Sequence, residues 1–268
     1  MDTLLKTYFP IIRTREEVLN LIGEKEKLTN LFESWSEEQQ EEFLDFCTGV
    51  KILYDSFFKE IFNPEYHAER LEELLSLLLE TKIRIKQILP NDSVRLADEY
   101  TLLITDIVIE TEDGRIANLE IQKIGYAFPG QRTACYSADL LLRQYKRVKD
   151  RKRSENKKFN YRDLKKVYTI VLFEKSTREF HEIPDKYLHY GEHIYDTGLK
   201  LETLQKSVLV ALDIFRKNIE NRSIENKLEA WLFLLSSDEP ERIMELLEKY
   251  PEFREIYEEV YQMCRNVE

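Results

Sequence analysis

The chain has 268 residues, 43% hydrophobic and 12% aromatic, with only 7 Gly and 7 Pro; this composition supports a substantial core and excludes a disordered or low-complexity protein. Its three cysteines (Cys47, Cys135, Cys264) are odd in number, widely spaced and without a CxxC pair, which excludes a disulfide scaffold and predicts reduced thiols in a cytoplasmic protein. A formal net charge of −11 excludes a uniformly basic nucleic-acid binder.

The opening text, MDTLLKTYFPIIRTREE, lacks the layout of a signal peptide, and no run of 18 apolar residues follows, so no membrane association is expected. Residues 1–46 read as a helical N-terminal extension. Val18, Leu21, Ile22, Leu28, Leu31 and Phe32 recur near helical spacing, and Ser36 opens a further helix with the capping-box text SEEQ. A helix over 50–62 should end at Asn63-Pro64. A second, over 65–80, carries a stripe of Leu71, Leu74, Leu75, Leu78 and Leu79. Asp55 and Lys59 are one turn apart, the spacing of a plain helix-surface ion pair. A strand is expected over 83–89.

Residues 101–123, TLLITDIVIETEDGRIANLEIQK, read as a β-hairpin around Asp113-Gly114. Each apolar strand carries one acid, Asp106 and Glu120, and an acid in such a setting needs a partner, a proton or a metal. A two-residue turn would put these acids on opposite faces. A three-residue turn, Glu112-Asp113-Gly114, puts Asp106 opposite Glu120 and gives Gly114 the left-handed position. It also gathers Asp106, Asn118, Glu120 and Gln122 on one face and leaves the other nearly all apolar, so the three-residue turn is preferred. Opposed carboxylates would have Cβ atoms roughly 5 Å apart. Their repulsion is about 1 kcal/mol in water and about 4 kcal/mol at an effective dielectric of 20. A hard divalent cation with oxygen ligands would turn that repulsion into attraction.

The text IGYAFPGQ leads into a helix predicted over 131–148, with Arg132 beside the loop, a position suited to a phosphate contact. On the same helix Tyr136, Arg143 and Gln144 fit amphipathic packing. From Lys146 to Lys166 there are 11 Lys or Arg and 3 acids, a net of +8 that leaves −19 for the rest. Such a segment, with Lys146, Arg147, Arg151, Lys152 and Arg153 at its start, reads either as a phosphate-contacting surface or as a solvated charged face. KVYTIVLFEK (166–174 within it) reads as a strand buried on both sides. His189 and His193 are four apart, but Gly191 intervenes and the text is strand-like, so no metal site is read there. Residues 203–266 read as three or four helices: LQKSVLVALDIFRKNI, NKLEAWLFLLS, PERIMELLEKY and EFREIYEEVYQMC.

The ordered set of YDSFFKEIFNPEYHAERLEELLSLLL, KIRIKQILPND, the Asp106…Glu120-Ile121-Gln122 hairpin, and Arg132…Tyr136…Gln144-Tyr145 resembles the PD-(D/E)xK nuclease family transposases, relatives of the recombination-promoting nucleases. The resemblance runs from about Leu53 to Lys175. It implies an α/β fold, an α+β mixed sheet flanked by helices. This restriction-endonuclease-like core would occupy residues 47–180, between the N-terminal helices and a mainly helical C-terminal region over 181–268. It also implies a Mg²⁺- (or Mn²⁺-) dependent endonuclease acting on DNA. Asp106, Glu120 and the Ile121 carbonyl would hold the metal, and Gln122 would position the attacking water. Asp55, with Glu60 as rival, would take the place of the family's helix acid. Arg132 and the basic segment would hold the DNA backbone, and a homodimer is compatible with the acidic C-terminal helices. The pattern departs from the family at one place: Gln122 stands where a lysine is usual, and an amide can neither carry charge nor take a proton near neutral pH. A catalytically silent relative that binds nucleic acid or protein, and a nuclease directed at RNA, are the competing readings.

Overall fold

The computed structural model describes residues 14–47, 55–89, 107–124, 128–237 and 240–263. They fall into two compact units, one of residues 1–61 with 223–268 and one of residues 62–222.

The second unit is built on a six-stranded mixed sheet. Its strands are β1 (Ile85–Ile88), β2 (Ile107–Thr111), β3 (Ile116–Ile124), β4 (Val167–Lys175), β5 (Leu188–Glu192) and β6 (Gln205–Ala211). Their spatial order is β1-β2-β3-β4-β6-β5. The pairs β1/β2, β2/β3 and β5/β6 are antiparallel. The pairs β3/β4 and β4/β6 are parallel. The mixed sheet is that of an α/β restriction-endonuclease-like fold.

The β2–β3 hairpin has the three-residue turn. Ile107 pairs with Leu119, Val108 with Asn118 and Ile109 with Ala117. Thr111 N–H donates to Arg115 O and Gly114 N–H donates to Thr111 O, each at 2.9 Å. Gly114 takes φ +86°, in the left-handed region where a side chain is strained. Asp113 locks the turn by accepting from Thr111 Oγ1 at 2.6 Å and from Arg115 Nε at 2.9 Å.

The long helix of this unit, numbered in chain order after α1 (Arg15–Gly23), α2 (Glu26–Glu33), α3 (Glu37–Cys47), α4 (Asp55–Ile61) and α5 (Ala68–Leu78), is α6 (Pro129–Ser154). It starts with Pro at its first position, where the missing N–H costs nothing. It runs six residues beyond the expected end. Arg151, Lys152 and Arg153 fill its last turn, where cations suit the helix dipole. Its buried stripe is Thr133, Tyr136, Ser137, Leu140, Gln144 and Val148. Leu140 packs with Leu89, Val108, Ile116 and Val167, each burial contributing on the order of 1.5–3 kcal/mol. β4 is buried on both faces through Phe173, as its unbroken apolar text implies.

One element differs from expectation. LQKSVLVALDIFRKNI is a strand followed directly by a helix, β6 and then α8 (Leu212–Ile219), rather than one helix; α7 (Arg178–His181) is a single turn before them. A short apolar run has no periodicity that separates strand from helix. Pairing with β4 decides it, burying Val208, Val210 and Ala211 in a sheet that satisfies their backbone. The sheet therefore continues past residue 180.

The first unit is helical in its described residues: α1 to α4, then α9 (Lys227–Ser236), α10 (Pro240–Lys249) and α11 (Phe253–Met263). Thr14 and Glu17 form a capping box on α1, and Ser36 and Gln39 exchange the same bonds ahead of α3. Val18, Ile22 and Leu44 form a small core with Leu28, Phe32 and Phe43. Every residue of α9 from Glu229 to Ser236 is buried, and Trp231 meets Phe253 edge-on at 4.8 Å.

Candidate active site

The register of the hairpin puts Val108, Glu110, Ile116, Asn118, Glu120 and Gln122 on one face, because opposed residues on paired strands share a face. That face lies beneath α6. The Tyr136 hydroxyl interacts with the Glu120 carboxylate, Leu140 packs with Ile116, and Gln144 Nε2 donates to Gly114 O at 3.2 Å. Helix and strand therefore run in opposite directions. Thr169 is the β4 partner of Asn118.

Glu120 is 3% exposed and Gln122 is 5% exposed. Gln122 Nε2 donates to Glu120 Oε1 at 2.9 Å. Burial pushes the Glu120 carboxyl above the usual range, and the Gln122 amide, the Arg132 guanidinium and the nearby Tyr136 hydroxyl only partly offset that. Burial first, and the Glu120 charge second, push Tyr136 up to about 12, so its hydroxyl stays protonated. Arg132 donates to that hydroxyl at 2.9 Å.

Several polar atoms in this place have no hydrogen-bond partner among the described residues: Glu120 Oε2, Gln122 Oε1, both amide atoms of Asn118, Thr169 Oγ1 and Ser137 Oγ. Asn118 and Thr169 are completely buried. Each such group costs about 1–3 kcal/mol if left alone. Buried polar atoms of this kind, on an acid-bearing strand, call for polar partners. Five of these atoms are oxygens, the donor type that a hard divalent cation such as Mg²⁺ or Mn²⁺ takes.

The other residues singled out by sequence are spread more widely. Asp106 lies outside the described residues, immediately before Ile107. Asp55 begins α4 in the other unit, and its side chain also lies outside what is described. Ile121 follows Glu120 on β3. In the basic segment Arg147 is held by Glu110 at 2.6 Å and Lys152 by Asp163 at 3.0 Å, while Lys146, Arg151 and Arg153 are exposed. Glu110 is also held by Lys86 and Gln87; burial pushes its carboxyl up, but these partners and Arg147 outweigh it and leave it below the usual value. Arg143 pairs with Asp139 at 2.8 Å. Gln144 ties α6 to the hairpin turn and accepts from Lys165 N–H at 2.8 Å, a structural post. Among the described residues no group of three or more His, Cys, Asp or Glu comes together.

Of three further polar residues here, the sequence placed Asn118 on this face without a role and did not mark Ser137 or Thr169. Asn118 carries no acid or base, and only its parity with Glu120 marks it. Ser137 and Thr169 look like ordinary core residues until the helix packing and the sheet pairing are known.

The sequence profile of a PD-(D/E)XK nuclease family transposase matches residues 52–268. The chain belongs to that family. No curated protein and no solved structure matches it. As a PD-(D/E)XK nuclease family transposase it has a nuclease- or transposase-like function, and nucleic-acid interaction goes with that family. Among the described residues no helix is long and apolar enough to cross a membrane.

Proposed function

We propose that this family member is a divalent-metal-dependent phosphodiesterase acting on DNA. The observation that supports it most is the buried Glu120, one oxygen held by Gln122 and the other without a partner. The β2–β3 register, continued by one residue, would bring Asp106 opposite it. Asp106, Glu120 and the carbonyl of Ile121 would hold Mg²⁺ or Mn²⁺. When bound, the ion would supply Lewis-acid polarisation of the scissile phosphate and a lowered pKa for its water.

The chain's own groups do the rest. Gln122 Oε1 accepts from the attacking water and orients it, but it takes no proton, which passes to solvent. Tyr136 stays neutral and holds Arg132 toward the carboxylate. Arg132, Lys146, Arg151 and Arg153 bind the phosphate backbone electrostatically, with Arg147 and Lys152 supporting them from within ion pairs. Asp55 enters only through its resemblance to the family's helix acid.

Plasmid nicking in Mg²⁺ or Mn²⁺ tests this reading. Nicking by the intact chain that disappears in Asp106→Ala and Glu120→Ala is the expected result. Activity surviving either change would remove the site, and no nicking with either metal would leave a silent relative that binds nucleic acid.

A further inference from the structure

The basic segment carries aromatic residues whose placement the nuclease reading does not use. After α6 the chain turns back and forms a single 3₁₀ turn, Tyr161–Asp163. Asn160 caps that turn, with Asp163 completing the capping box. Lys152 pairs with Asp163, and Lys165 N–H is tied to Gln144. The turn is thus fixed to α6 from both sides. Tyr161 is held within it yet is 73% exposed. Its ring stacks on Tyr145, with centroids 6.2 Å apart and planes 19° apart, and Phe159 wedges against it edge-on at 5.3 Å. One face of Tyr161 is supported and the other is open. Lys149 Nζ lies 5.3 Å from the Tyr145 ring centroid.

Tyr161 also lines a groove of about 1480 Å³, together with Arg162, Lys165 and Tyr190. That exceeds the roughly 300–1,000 Å³ of a small-molecule pocket and suits a chain-like ligand. Of the four acids lining it, Asp113, Glu192 and Glu202 are paired with Arg115, Lys206 and Lys166. Glu80, beside Tyr190, is the fourth.

We infer that Tyr161 is a stacking platform for an unpaired base, and that this face binds a single-stranded stretch of DNA. Cations alone would serve a duplex equally well, because phosphates are common to both. An open aromatic face is different. It can stack only on a base whose own face is free, and duplex bases are covered by their neighbours. Holding the ring rigidly in advance lowers the ordering cost of binding. The inference deepens the nuclease reading by naming the form of DNA contacted, and its test requires no cleavage.

The test is fluorescence anisotropy of a short labelled oligo(dT) and of a duplex of equal length, with the full chain in EDTA. The intact protein should prefer the single strand. Tyr161→Ala should weaken oligo(dT) binding by roughly tenfold and leave duplex binding unchanged. Tyr161→Phe should behave as the intact protein. Tyr161→Leu, which keeps the packing on Tyr145 and Phe159 without a π-face, should show the same loss as Ala. Equal binding by the intact protein and Tyr161→Leu, or an equal loss on strand and duplex, would overturn the platform. Metal-dependent nicking could persist in that case, so failure here is separable from failure of the nuclease reading.

Discussion

At the scale of single residues, Glu120 and Asn118 stand out as buried polar groups with atoms unpartnered among the described residues. A carboxyl whose pKa is raised on folding is stabilising below the unfolded value of 4.5 and loses that contribution as pH rises through the folded value. At neutral pH the buried Glu120 charge therefore opposes folding. Glu120→Gln should be more stable than the intact chain at pH 7, and the difference should vanish below pH 4.5, as urea unfolding at several pH values would show. Asn118 makes a related prediction. Its amide is fully buried with neither atom bonded among the described residues, so Asn118→Leu should raise stability by about 1–3 kcal/mol. The same change should slow nicking if a water held by this amide serves the site. A Leu variant that melts lower would mean the amide is satisfied in solution.

Among the elements, the β2–β3 hairpin organises the site, and its turn was readable from residue types. Only an odd turn sorts Asn118, Glu120 and Gln122 from Ile107, Ile109 and Ala117, and Asp113-Gly114 supplies its chemistry. Gly114→Ala tests this. The added Cβ would meet only Lys165 Cγ at an ordinary 3.5 Å, so the cost is conformational, about 1–2 kcal/mol from φ +86°. A thermal melt that does not move would contradict the turn. Helix α6 was legible in its apolar stripe but not in its length, because the residues from Lys149 to Ser154 are polar and their helicity rests on caps and ion pairs. β6 was not legible, since SVLVAL suits either period and only the neighbouring β4 selects a strand. Ser137 and Thr169 were invisible for a similar reason: Thr169 meets Asn118 only through the β3/β4 pairing, and Ser137 is buried on α6 only once that helix packs.

Charge is divided on the scale of the whole molecule. The net of −11 hides a segment of +8 on a remainder of −19. A body this acidic repels DNA at long range, so productive binding must be local and strongly dependent on salt. Each phosphate neutralised contributes about 0.9 to the slope of log K against log salt on duplex DNA. Replacing Lys146, Arg151 and Arg153 together by Ala should flatten that slope by about 2 to 3 if all three touch phosphates. An unchanged slope would make them a solvated edge, the plainer alternative for any charge run. Arg147 and Lys152 are excluded from that set because Glu110 and Asp163 already hold them.

The central claim is that Asp106 and Glu120 share one divalent cation, and calorimetric titration of Mn²⁺ measures it without any nucleic acid. The intact chain should take up the ion, and Asp106→Asn and Glu120→Gln should each lose that uptake while still folding. Undiminished Mn²⁺ binding by Asp106→Asn would mean that the two acids do not share a site.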